Sequence, residues 1–211
     1  MADPLSILFG STARVKLLRF FLFNPSKEFT FDDISRRAKL VRRTARTEIS
    51  ALEKAGVIVK RMLYVPIEGK TKKMKALGFT LNKDFTELQA LQTFLFETAP
   101  IDGKNVLAHL RNAGPIDFLV VAGVFLREFE QKLDVLVAMK KIPQTKLETA
   151  IRALESEIGM DVRCAIMTTE DLRYRVGMND KLTRELFDYK HQIIVDKAGI
   201  RDEIHRGSYR S

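Results

Sequence analysis

One cysteine, three histidines and no long apolar run are found in a chain of 211 residues. The lone thiol, Cys164, excludes an intramolecular disulfide and fits a reducing cytoplasm. It lies in a mostly apolar stretch over residues 162–167, broken by Arg163, where a buried structural thiol is the simpler reading than a nucleophile. His109, His191 and His205 have no partner at i, i+4 and no neighbouring cysteine, so the spacing of a zinc site is missing. A bilayer span needs roughly 18–20 consecutive apolar residues. The longest candidate, residues 116–125, is interrupted by Asp117 and has the length of a core strand. The start Met1-Ala2-Asp3-Pro4 lacks the basic region that opens a signal peptide. Gly-x-Ser-x-Gly does not occur, and Gly69-Lys70-Thr71 lacks the upstream glycines of a phosphate-cradling loop. There is no internal repeat and no low-complexity tract. These absences lead to the expectation of a cytoplasmic protein with no membrane partner, no metal and no cofactor.

Hydrophobic residues make up 45% of the chain, enough for a packed core, and the length suits one large domain or two small ones. The net charge of +9 is unevenly distributed. Residues 1–83 hold 18 Lys and Arg against 7 Asp and Glu, a balance of +11. Residues 84–211 hold 18 against 20, a balance of −2. A polyanionic partner is therefore expected for the first part alone.

Within that part, residues 29–81 carry an ordered pattern. A short apolar stretch, Phe29-Thr30-Phe31, precedes a helix opened by Asp32 and Asp33, whose carboxylates favour the helix dipole. Lys39-Leu40-Val41 is a turn, and a second helix runs from Arg42 to the stop at Gly56. Ala45, Ile49 and Leu52 at i, i+4 and i+7 share its buried face. Arg42, Arg43, Thr44, Arg46, Thr47 and Ser50 project from the other side, where Arg suits guanine edges and phosphates, and Thr and Ser suit phosphate oxygens. A β-like run from Val57 to Tyr64 leads to a basic loop with Lys70, Lys72, Lys73 and Lys75, and a closing strand spans residues 77–81. Upstream, Ser11 or Thr12 caps a helix to about Phe23, ended by Asn24-Pro25. Phe20, Phe21, Phe23, Phe29 and Phe31 read as core filling rather than an aromatic ligand box.

Asp84 or Thr86 is expected to start a linker helix through Glu97, with Leu88, Leu91, Phe94 and Leu95 forming either core or a dimer seam. The remainder alternates strand and helix signals: helices over residues 103–112, 144–158, 169–178 and 180–187, and strands over 116–124, 134–139, 162–167 and 192–195. Such interleaving suggests an α/β layer on a small mixed sheet. Residues 197–211 are polar and aperiodic and read as a frayed tail.

Residues 11–81 resemble winged-helix regulators of the ArsR/MarR-like type. The second half resembles a minimal nucleotidyltransferase domain. That resemblance implies a Gly-Ser pair after one strand, an Asp-x-Asp pair on the next and a third carboxylate on a later strand, the acids holding metal ions that bridge phosphates. Here Gly123-Val124 keeps the glycine and replaces the serine, with Arg127 following. Lys132-Leu133-Asp134 keeps only the second acid, and Arg163 stands at the third acid's place unless Asp161 slides into it by a register shift. An ammonium group repels a cation and removes its ligand, so the resemblance implies a non-catalytic domain, with Gly123, Arg127, Lys132 and Asp134 as a vestigial nucleotide site. Salt bridges from Arg127, Lys132 and Arg163 to Glu128, Glu130 or Asp161 are the plainer alternative.

The expected fold is thus an α+β winged helix-turn-helix followed by a small α/β nucleotidyltransferase-like domain with a mixed sheet. The expected divisions are residues 1–83, a linker helix over 84–98, the second domain over 99–197 and a polar tail over 198–211. The expected function is a homodimeric regulator of transcription that binds double-stranded DNA, its second domain serving dimerisation or a small-molecule or protein effector. Two alternatives stay open: an active nucleotidyltransferase modifying protein or RNA, and a protein-interaction module.

Overall fold

Local capping chemistry starts the first helices of the computed structural model, which describes residues 3–66, 73–99 and 101–208. Asp3 caps α1 (Pro4–Leu8) and Ser11 caps α2 (Thr12–Leu22), each side-chain oxygen accepting from a first-turn amide. Thr30 ends β1 (Glu28–Thr30) and begins α3 (Phe31–Arg37) through a capping box, in which the Thr30 hydroxyl accepts from the Asp33 amide and the Asp33 carboxylate from the Thr30 amide. A four-residue connection leads to α4 (Arg42–Lys54), and then to β2 (Ile58–Pro66), β3 (Lys73–Leu81) and α5 (Leu88–Glu97). Gly56 closes α4 at φ +77°, the left-handed conformation that glycine tolerates without strain.

The chain falls into two compact units, residues 1–99 with 155–160, and residues 100–154 with 161–211. Both are mixtures of helices and sheet, and together they make an α+β protein with one sheet of three strands and one of four. In the first unit the order is β1-β3-β2, all antiparallel. Its core gathers Leu17, Phe21 and Leu22 of α2, Ile34 of α3, Ala45, Ile49 and Leu52 of α4, and Ile58, Phe79 and Leu81 of the sheet. Phe20, Phe21 and Phe29 meet as tilted and edge-on rings, so these aromatics fill the core.

In the second unit, α6 (Gly103–Leu110), β4 (Phe118–Val121), a 3₁₀ turn (Gly123–Leu126) and β5 (Val135–Met139) precede α7 (Gln144–Ile158), whose residues 155–158 group with the first unit. There follow β6 (Cys164–Thr168), α8 (Thr169–Gly177), α9 (Lys181–Phe187), β7 (Gln192–Asp196) and α10 (Ile200–Ser208). The order β6-β5-β4-β7 is mixed: β5 and β6 run parallel, joined through α7, and the other pairs are antiparallel. Phe118, Val120, Leu136 and Ala138 face Leu172 of α8, Leu186 of α9 and Ile200 of α10. The opposite face meets α6, where Gly103 leaves no room for a Cβ against Ile194 and Val121. Strands covered on both faces explain why β4 and β5 read as unbroken apolar runs.

Four expectations are corrected. The helix expected from Asp84 or Thr86 begins at Leu88, because the Asn82 carboxamide holds the Asp84 amide in a turn and Phe85 packs on the core. Its Leu88, Leu91 and Leu95 join the first core, while Phe94 points outward. Lys73 and Lys75 are strand residues, not loop residues, since the β2–β3 ladder extends to Pro66 opposite Lys73. Residues 198–211 are not simply a tail: Ile200–Ser208 form α10, with Ile200 wholly buried and Glu203 paired to Arg173 at 3.2 Å. Cys164 is half-buried at the start of β6 rather than sealed in the core.

Truncating Ile200 to Ala should cost about 2–4 kcal/mol, as for other fully buried branched side chains. Urea denaturation of the two proteins measures it; an unchanged midpoint would mean that α10 does not seal the second core.

Candidate nucleic-acid interface

The first candidate site is built on α4. Residues four apart on a helix share a face, and here the inner face buries Ala45, Ile49 and Leu52, none more than 4% exposed. The sequence-predicted Arg42, Arg43, Arg46 and Thr47 are therefore exposed on the outer side, with Thr44 and Ser50 half-buried at its margins. The Thr47 hydroxyl donates to the Arg43 carbonyl, which anchors it along the helix. Val41 at the N-cap offers no side-chain acceptor, so the first amides of α4 lie beside Arg42 and Arg43 with no side-chain cap.

The turn into α4 is tight. Lys39 takes φ +51°, a left-handed conformation unusual for a residue with a Cβ, and the Leu40 amide closes back on the Ser35 carbonyl at 3.0 Å. Glu48, which periodicity alone places on the buried face at i+3 from Ala45, is 7% exposed. Its charge is met by Arg14 of α2 at 2.9 Å, a pairing that tells nothing in the sequence apart from any other Arg and Glu.

On the hairpin, Lys73 and Lys75 alternate with Met74 and so share one face of β3, with Lys60 of β2 on the same face by register. The Lys75 ammonium lies 6.0 Å from the Tyr64 ring centroid, at the outer range of a cation–π contact. Lys70 and Lys72 lie outside the described residues.

The second candidate site surrounds Asp134, a carboxylate with no exposed surface. Asp134 and Arg163 immediately precede the parallel strands β5 and β6, whose register sets Val135 beside Cys164. The two side chains consequently lie next to one another. Arg163 grips the carboxylate through Nε to Oδ2 at 2.8 Å and Nη2 to Oδ1 at 2.7 Å, and its backbone amide donates to Oδ2 at 2.8 Å. The Val124 amide donates to Oδ1 at 3.0 Å. Each oxygen thus accepts two hydrogen bonds, which fills the lone-pair directions of the group. Hydrogen bonding to Asp134 raises the Arg163 pKa above its already high ordinary value, so the guanidinium stays charged.

Gly123 is explained by the same carboxylate. At φ +49° it passes so close that a Cβ would sit 2.1 Å from Asp134 Oδ1 and 2.9 Å from the Leu133 carbonyl. Its amide donates to the Gln131 side chain at 2.9 Å. Lys132 pairs with Glu185 at 2.9 Å, and this bond lowers the Glu185 pKa. Arg127 follows the 3₁₀ turn at φ +63°. Gly123 and Asp134 are brought together, whereas Lys132 turns aside to Glu185. Lys132 thus pairs with Glu185 and Arg163 with Asp134, while Glu130, one of the local acids expected from the sequence, adds to the field that keeps Arg163 charged. Register puts Arg163, two residues beyond Asp161, beside Asp134. Beside this site Glu128, Lys132, Leu133, Leu186 and Tyr189 help line a cleft of about 470 Å³, within the size range of small-ligand sites.

Replacing Arg163 with Met would leave a buried carboxylate without its cation. Breaking such a pair typically costs about 3–5 kcal/mol, and the 42% exposure of Arg163 lowers the expected loss to about 2–3 kcal/mol. Gly123→Ala should also destabilise the chain by displacing the carboxylate. Equilibrium denaturation of both variants checks these outcomes; wild-type stability in Arg163→Met would show that the pair is dispensable. Compared with known proteins, the chain matches no family model, no curated protein and no solved structure.

Proposed function

We propose that this protein is a DNA-binding regulator of transcription, with a winged helix-turn-helix in its first unit. The observation that carries the reading is the outer face of α4, where Arg42, Arg43, Arg46 and Thr47 are exposed opposite a buried apolar face. The helix follows α3 through a short turn and precedes a hairpin bearing Lys73 and Lys75. In this reading α4 enters the major groove, its arginines meet base edges and phosphates, and the hairpin lysines meet the neighbouring backbone. The concentration of positive charge in residues 1–83 supports a polyanion as partner.

The second unit serves, in the same reading, as a dimerisation, ligand or partner module without transfer activity of its own. Asp134 is the sole acid kept from the nucleotidyltransferase pattern, and its oxygens are engaged by Arg163 and two amides. A two-metal reaction needs such oxygens free for hard cations. The adjoining cleft supports a small-molecule effector.

Selection from a random duplex library with the full-length chain tests the proposal. One enriched motif is expected, and a palindrome with half-sites about one helical turn apart would mark a homodimer. Affinity should fall about a thousandfold between 50 and 200 mM salt if some six phosphates are neutralised. Combined replacement of Arg42, Arg43 and Arg46 by Ala should abolish selection of the motif, whereas Lys75→Ala should weaken all sequences by a similar few-fold factor. A motif recovered unchanged by the triple variant would refute the assignment of α4.

A further inference from the structure

The exposed side of α4 carries two stripes of residues that differ in their surroundings. Arg42 and Arg46, at i and i+4, both lie over the ring of Phe31, the first residue of α3, with guanidinium carbons 5.1 and 5.6 Å from its centroid. Arg42 also donates through Nη1 to the Asp32 carboxylate. Arg43 and Thr47 form the neighbouring stripe, and among the described residues Arg43 has neither a ring nor an acid against its side chain. Phe31 is half-buried, while Asp32 and Arg42 are 72% and 66% exposed. Asp32 thus stands in solvent where a ligand of α4 would approach, and Phe31 packs between the core and the two arginines.

Resting on the DNA-binding reading above, we infer that Phe31 and Asp32 are positioning residues that make Arg42 and Arg46 readers of base edges rather than phosphate clamps. Three physical effects lead there. A guanidinium laid on an aromatic face has already lost much of its rotamer freedom, so less is lost when it forms a planar pair of hydrogen bonds. One hydrogen bond to Asp32 leaves the other N–H donors of Arg42 available, and fixes which edge of the guanidinium faces outward. Finally, the Asp32 carboxylate repels a fully charged phosphate far more than the neutral acceptors of guanine, so it weighs mainly against the unspecific contact.

The distinguishing measurement is binding of full-length Phe31→Leu, Phe31→Tyr and Asp32→Asn to the wild-type motif, to each single base-pair variant of it and to an unrelated duplex. Phe31→Leu should reduce discrimination about tenfold at the base pairs read by Arg42 and Arg46, the scale of one lost bidentate contact, with the unrelated duplex bound within about twofold of wild type. Phe31→Tyr keeps the aromatic face and should restore discrimination. Asp32→Asn should lose discrimination at the Arg42 position while binding the unrelated duplex about threefold more tightly, having shed a negative charge. A change by one common factor across all duplexes would overturn the inference and leave the DNA-binding reading standing. A wild-type chain with no preferred sequence would remove that reading and this inference with it. Because Asp32 is exposed, its Asn variant remains a valid test if Phe31→Leu disturbs folding.

Discussion

Burial of Ala45, Ile49 and Leu52 sets the rotation of α4 about its axis, and every exposed arginine on that helix takes its direction from it. A slip of one residue would turn the helix by about 100°, exposing the apolar stripe and, in one direction, driving Arg46 into the core. Transfer of an unpaired guanidinium from water is far costlier than exposure of an aliphatic side chain, so the rotation is unambiguous. Glu48 is the one charge on the inner side, and Arg14 makes its position tenable. The same constraint reaches α3: with α4 held in place, Phe31 lies beneath Arg42 and Arg46.

A buried carboxylate plays the corresponding role in the second unit. Asp134 draws the Arg163 guanidinium, the Arg163 amide and the Val124 amide to one point, and so joins the entrances of β5 and β6 to the 3₁₀ turn. Gly123 lacks a Cβ because the carboxylate fills that space. A residue that reads as a remnant of metal chemistry is here accounted for by charge neutralisation inside the fold. Arg163 supplies the positive charge that Asp134 needs once buried.

Legibility followed the strength of local signals. Helix α7 extends over the residues its apolar spacing predicts, and α4 nearly so, since several turns of 3.6-residue period identify a buried face. Helix α10 has few apolar positions, with Ile200 and Ile204 one turn apart, too little to stand out from a polar tail. Asp84 and Thr86 look like caps in isolation, yet the Asn82 turn and the packing of Phe85 postpone the helix to Leu88. Lys73 and Lys75 look like loop because of their charge, and only pairing with β2 reveals them as strand.

Composition and periodicity determined the concentration of charge in the first 83 residues, the two-sided character of α4, and the mixing of helices and strands, because each depends on neighbours along the chain. Which residues meet across the fold was decided by tertiary structure alone. Arg14 finds Glu48, Phe31 underlies two arginines, and Arg163 reaches Asp134 through the parallel register of β5 and β6. Ion pairs and ring contacts act over a few ångströms, whatever the separation in sequence, so their partners emerge only once the cores have set the helices and strands in place.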